Sequence, residues 1–517
     1  MPKPTGHRSS LSQSPRSLVT FSRRELLAGA GAGAAALFLE KGGVQAQGPP
    51  SGRTVVFSHT TVVNADATLD DVALAVEGDK IAAIGPTDEI LERYPNADVY
   101  DGRGKAILPG LINCHQHMSA VLSRGFNEDF GFPNSVRLAV SPGSLLQAEE
   151  SSLMIQVAAL ESIKTGTTTI VENTGNISRN AATLAATGLR CVFAESVRDA
   201  ENVPGPMALE GLTATKEAPR FSPKLRDEGM RRINDLFTAW HGKNNGRVSV
   251  FPAAGLAETS SPELLKAVRG FADTHNLGYT IHLSQTTWER DFMRKFHGLT
   301  PPAFLDKAGF LGPRLFAAHC RYVDDADIAL LGSRRTIVSH QASMAANRGV
   351  IPPIAKLRAA GCTIALGTDN NTNDVFSVMK VALLTERISR TEDARPGTRP
   401  QPEDILADAA QGGAAAVNQE KQIGTLEVGK KADLIVVDTM KAYLQPAGRI
   451  LSAIIHGGNS SDVESMMVDG QFVMRGNKVL TMDEPAIVAE AAKVSRRVWD
   501  QVKKAGPIPI PREARPK

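Results

Sequence analysis

Ile107-Leu108-Pro109-Gly110-Leu111-Ile112-Asn113-Cys114-His115-Gln116-His117 decides how the rest of the chain is read. A strand-length apolar run leaves a Pro-Gly turn and ends on two histidines one residue apart. Side chains at i and i+2 share one face of a strand, so both imidazoles can face a single metal ion. Working outward, similar apolar runs recur at 167–171, 190–194, 248–253, 279–283, 315–318, 336–338 and 363–366. Between several of them lie helical stretches, such as Leu153, Val157 and Leu160 before Gly166, or Pro262 to Thr274. With 110–114 as the first strand, eight strands alternating with helices predict a (β/α)8 TIM barrel over 110–424, an α/β fold. Five of the 11 histidines, His115, His117, His282, His319 and His340, fall at the C-terminal ends of these strands. That is the end where barrel enzymes place their sites.

The segments flanking the barrel have a different texture. Thr54 to Phe57, Val72 to Val76 and Lys80 to Ile84 are short strands, the last two divided by Glu77-Gly78-Asp79. Near the C-terminus Ala432 to Val437 reads the same way, and Asp469-Gly470 between Val468 and Gln471 is a hairpin signal. A small β-sandwich built from both ends, 47–109 and 425–483, is expected, followed by a C-terminal helix and tail over 484–517. Ile487, Ala491, Val494 and Val498 stripe that helix at the spacing of a docking face. The stretch 197–246 exceeds one helix and predicts an insertion over the barrel mouth. Residues 1–46 read as a twin-arginine signal peptide: Ser22-Arg23-Arg24-Glu25-Leu26-Leu27, a small-residue apolar stretch to Leu39, then Val44-Gln45-Ala46. The expectation is an exported protein, periplasmic or extracellular, with no membrane span after signal removal.

Composition excludes other classes. Lys+Arg 58 against Asp+Glu 55 gives a net charge of only +3, too little basic excess for a nucleic-acid partner. Cys114, Cys191, Cys320 and Cys362 are too few and too scattered for a disulfide framework or a CxxC zinc site.

The opening stretch, followed by Arg124-Gly125, resembles the amidohydrolase superfamily, in particular its triazine hydrolase and cytosine or guanine deaminase branch. Lys164 to Thr169 is similar to that branch's second-strand entry. Gly361 to Asp369 is similar to its eighth strand, and Ile423 to Leu434 to its return into the small β-domain. The resemblance implies that His115, His117, His282 and Asp369 hold one divalent metal ion, Zn2+ in the first place and Fe2+ as the alternative. Imidazole and carboxylate ligands with an open position for water suit zinc. It further implies attack by a metal-bound hydroxide, with Asp369 carrying the proton and His319 orienting the nucleophile or polarising the substrate. His340 and Glu289 are candidates for substrate contact. The implied partner is a small-molecule substrate, and a homodimer is the oligomer common among members. The fourth strand carries no lysine, which argues against a carbamylated two-metal site, although Glu258 stands just beyond it.

One departure shapes the functional reading. The deaminase branch places a proton-shuttling Glu three residues after the fifth-strand histidine, and here that place holds Gln285. A carboxamide forms hydrogen bonds but is no general acid near neutral pH. The expected activity is therefore hydrolysis of a non-peptide C–N bond of the amide, urea or carbamate type, with Gln285, Asp369 and His319 at the reacting centre. The alternatives are an aminohydrolase or triazine-type hydrolase of an N-heterocycle and, from another class, a catalytically silent metal- or ligand-binding barrel.

Overall fold

The computed structural model describes residues 54–130, 138–203, 217–370, 372–389, 397 and 399–508. The expected signal peptide lies outside them. Eight parallel strands run in chain order around the central sheet: β1 (Leu111–Gln116), β2 (Thr167–Thr174), β3 (Arg190–Val197), β4 (Val248–Leu256), β5 (Tyr279–Leu283), β6 (Leu315–His319), β7 (Ile337–His340) and β8 (Thr363–Leu366). Each has one face toward the helices and one toward the lumen, which is why the runs are almost continuously buried. Along β5 the alternation is plain. Ile281 and Leu283 join the apolar core, while Thr280 and His282 occupy the other face.

The barrel closes at its C-terminal end, where the site lies. The backbone amides of Thr368 and Asp369 donate to the His115 carbonyl at 3.0 and 2.9 Å, and that of His117 donates to the Asp369 carbonyl at 3.2 Å. Beneath them, Asn113 Nδ2 donates to Gln116 at 2.6 Å and to Thr368 at 2.8 Å. Lower down, the seam between β1 and β8 is filled by a helical segment running through Pro402–Ala407, Asp408–Gly412 and Gly413–Ala416. It fits because of two glycines. A Cβ on Gly412 would overlap the Ile364 carbonyl, and one on Gly413 would press into the Ile112 side chain.

The flanking strands form one continuous nine-stranded sheet that folds over its own core rather than two separate sheets. Strands from both ends meet in it. Lys105–Pro109 pairs antiparallel with Leu434–Asp438, and Val55–Val63 pairs with Thr68–Glu77. Alternation decides which core each side chain joins. Ile107, Leu434 and Val436 enter the small domain's core with Phe57 and Phe472, while Ala106, Leu108, Ile435 and Val437 face the barrel. The hairpin at Asp469 (φ 54°) and Gly470 (φ 72°) has both central residues left-handed, as a type I′ turn requires.

The expected insertion over 197–246 is smaller than its length suggests. Pro223–Trp240 is the ordinary barrel helix lying against β3 and β4, started by Ser222, whose Oγ accepts from the Leu225 amide at 3.4 Å. Only 198–222 is additional, and 204–216 of it falls outside the described residues. The C-terminal stripe is a helix, Glu484–Ala505, which docks Val494, Val498 and Val502 onto Leu122, Phe126, Leu138 and Met154. All four cysteines are buried and free. No described helix is long and apolar enough to cross a membrane.

Candidate metal centre

Four imidazoles and one carboxylate converge at the C-terminal mouth. His115 and His117 come from the end of β1, His282 from β5, His319 from β6, and Asp369 from the residues just after β8. The ligand atoms of His115, His282 and His319 lie within 4.8 Å of one another, as do those of His115, His117 and Asp369. His282 Nε2 is 3.5 Å from His117 Nε2. Asp369 Oδ1 is 3.5 Å from His117 Nε2, and its Oδ2 is 4.0 Å from His319 Nε2.

The surroundings prepare these rings as neutral donors. His282 Nδ1 donates to the Gly255 carbonyl at 2.8 Å, which leaves the Nε2 lone pair facing the cluster. His117 is held by the backbone of Asn173. Burial pushes both His117 and His282 down to about 4, and holds His115 and His319 well below the ordinary imidazole value. Both ring nitrogens of His115 and both of His319 are buried without a hydrogen-bond partner. Orphaned imidazole nitrogens, uncharged and facing one carboxylate, fit a divalent cation. Burial also raises Asp369 above its ordinary range, against the pull of His282, Arg321 and Arg348.

Backbone geometry aims two of these groups. His319 (φ 80°) and Asp369 (φ 61°) are left-handed although neither is glycine. Such conformations cost about 1–3 kcal/mol each and persist where the surroundings enforce them. The His319 amide donates to Gln341 Oε1 at 2.9 Å, and Asp369 is pinned by its bonds across the β1–β8 seam.

Residues 106–473, most of the chain, match the family described as "Amidohydrolase family". This protein belongs to the amidohydrolase family. A shorter match, over 73–97 in the small β-domain, is to the "Imidazolonepropionase-like composite domain, bacteria". Among curated relatives, a 5-methylthioadenosine/S-adenosylhomocysteine deaminase of Desulforudis audaxviator is 30% identical, the alignment covering 85% of this chain and 97% of the relative. A 5'-deoxyadenosine deaminase of Methanosarcina barkeri is 31% identical over 84% of this chain and 96% of its own length. Among solved structures, an adenosine deaminase from Xanthomonas campestris with bound zinc superposes with a TM-score of 0.75 at 25% identity, covering 87% of this chain and 100% of that one. A triazine hydrolase variant shares the fold with a TM-score of 0.75 at 20% identity, covering 86% and 99%. The protein is thus a hydrolase of C–N bonds other than peptide bonds in small molecules, of a metal-dependent family.

Glu289 and His340, the candidates for substrate contact, stand outside the cluster of ligand atoms in this amidohydrolase. Glu289, on the helix Thr287–His297, turns its carboxylate back to accept from the Ser284 amide at 2.7 Å and the Gln285 amide at 2.8 Å. It holds the loop that carries Gln285 instead of facing the histidines. His340, the last residue of β7, is buried within reach of the charge of Arg358, a guanidinium paired with Glu386 and with Asp408 of the seam segment. Burial and that charge push His340 down to about 3. Two carboxyls gain importance from the structure. Glu172, at the end of β2, accepts from the Met118 amide at 3.0 Å, and burial lifts it to about 8. Glu258 is buried beside Glu289, and burial followed by that neighbour's charge raises it strongly. A strand-end carboxylate was the sequence signal available for both, but only burial separates them from solvated acids.

Proposed function

We propose that this amidohydrolase cleaves a carbonyl-bearing C–N bond, of amide, urea or carbamate type, with one zinc ion held by His115, His117, His282 and Asp369. Gln285 carries this reading, because the place of the deaminases' proton shuttle holds a carboxamide whose backbone Glu289 anchors. When bound, the cation supplies Lewis acidity and a water that ionises near neutral pH. Asp369, lifted by burial, takes the proton released as the C–O bond forms and returns it to the nitrogen as the C–N bond breaks. His319, neutral and without a ring partner, orients the nucleophile or polarises the carbonyl. Gln285 hydrogen-bonds the substrate in this reading without moving a proton. Deamination of an N-heterocycle is the second reading, favoured by the named activities of the relatives.

A product screen over amides, ureas, carbamates and aminated heterocycles tests the choice. Amine-plus-acid products from N-substituted amides support the first reading, and ammonia from aminated rings alone overturns it. Metal analysis tests the ligands. His282→Asn should lose most of the zinc while the barrel stays folded, and a full equivalent of tightly bound metal would sink the assignment. We further propose export through the twin-arginine route, supported by Arg23-Arg24 and the apolar stretch after it. Replacing the pair with Lys-Lys should retain uncleaved protein in the cell, and unchanged export would count against the signal.

A further inference from the structure

Arg321 follows the sixth strand by two residues. The chain turns through left-handed backbone at His319 (φ 80°) and Cys320 (φ 48°). The amides of Arg321 and Tyr322 then donate to the Ser284 carbonyl at 3.1 and 3.0 Å. This ties the loop after β6 to the loop after β5 and sets Arg321 on the rim beside the histidine cluster. Its Nη1 lies 3.3 Å from the Met344 sulfur, a weak acceptor, and its Nε is buried with no hydrogen-bond partner. Among the described residues no carboxylate forms an ion pair with it. Its charge nonetheless acts on His319, Asp369 and Glu289. A second guanidinium, Arg348, acts on both Arg321 and Asp369.

The nearby anions are already engaged. Glu289 accepts two backbone amides, and Asp369 faces His117 and His319. A buried guanidinium donor with no acceptor is unfavourable, and an anion beside Arg321 Nε relieves that cost. The planar fork of a guanidinium suits the two oxygens of a carboxylate.

We propose that the substrate carries a carboxylate, bound by Arg321 on the rim beside Asp369, so that Arg321 selects anionic C–N substrates over neutral ones. This rests on the hydrolytic reading of the same site. The test is calorimetric binding to the metal-loaded enzyme of matched acid and neutral probes at two lengths, oxamate against oxamide and succinamate against succinamide. The wild type should bind the acid more tightly at one length or both. Arg321→Met should weaken that acid by about ten- to 100-fold and its neutral partner by less than about threefold, with metal content and thermal midpoint unchanged. Arg321→Lys, which keeps the charge without the fork, should recover part of the loss. If Arg321→Met does not fold, Arg321→Lys carries the test, with an expected loss of about fivefold for the acid alone. Equal loss for acid and neutral probe, or no acid preference in the wild type at either length, overturns the proposal. An enzyme that binds the acids through Arg321 yet cleaves no amide, urea or carbamate would sink the proposed reaction type and leave the anion site standing.

Discussion

Gln285 takes its position from Glu289, whose carboxylate accepts the amides of both Ser284 and Gln285. If Gln285 serves as a hydrogen-bonding group only, Gln285→Ala should lower kcat/KM by about five- to 150-fold, the worth of one unmet buried partner. Asp369→Ala removes a metal ligand and the proton carrier together and should cost several orders of magnitude more. Steady-state kinetics on one accepted substrate separates the two, and equal losses would mean that the proton path runs through position 285. Glu172 offers a pH test in the metal-free protein. Unfolded, its carboxyl ionises near 4.5, and folded it keeps its proton to about 8. Between those values the folded state binds more protons, so this contribution is complete below about 4.5 and is lost as pH rises toward 8. Glu172→Gln keeps an acceptor for the Met118 amide without ionising. Its thermal midpoint should gain on the wild type from pH 5 to 8, by an amount worth roughly 1–3 kcal/mol. A difference that stays constant over that range would refute the assignment. At this scale His115, His117, His282 and Asp369 were legible because they end strands in recognisable motifs. Arg321 was not, since its place depends on the left-handed turn at His319 and Cys320, which no residue type there announces. His340 also ends a strand, and its buried ring lies within reach of the Arg358 charge.

The elements themselves follow from apolar runs bounded by turns, which is why all eight barrel strands stand where the sequence predicts them. The stretch 197–246 holds an ordinary barrel helix beside the additional 198–222. The signals for an ordinary helix were present in Ser222-Pro223 and in Ile233, Leu236 and Phe237 facing the core. The seam helix was less legible, because small residues such as Ala409-Ala410 and Gly412 to Ala416 show no amphipathic period. Their smallness is what closes the barrel. Gly412→Ala should place a methyl group against the Ile364 carbonyl, forcing β8 from the helix at a cost of about 1–3 kcal/mol. Because β8 leads directly into Asp369, the variant should also bind metal more weakly. Denaturant unfolding and metal titration together check this, and wild-type values in both would show that the seam yields freely.

For the whole molecule, the question is what fixes the small β-domain on the barrel. Its sheet turns Ile435, Val437, Val463 and Met466 toward barrel residues such as Ile163 and Ile170, an apolar interface without directional preference. Direction comes from Arg190, the first residue of β3 and only 2% exposed. Its Nε and Nη2 donate to the two oxygens of Asp433 at 2.8 and 3.0 Å, and Nη2 also reaches Asp469 at 3.0 Å in the Asp469-Gly470 turn. Asp433 in turn accepts the Asp469 amide at 2.7 Å, so one guanidinium registers two segments of the small domain against one barrel strand. Arg190→Met would keep the volume but leave Asp433 buried without its counter-charge, while Asp469 retains Lys431 at 3.2 Å. Breaking such a pair from one side costs about 3–5 kcal/mol, whereas removing both charges is far milder. Arg190→Met should therefore be strongly destabilised in urea, and Arg190→Met with Asp433→Asn should regain much of the loss. Since β3 starts at the end of the barrel opposite the histidine cluster, the folded fraction of either variant should keep wild-type metal affinity. A single variant within about 1 kcal/mol of the wild type would place the docking energy in the apolar interface alone.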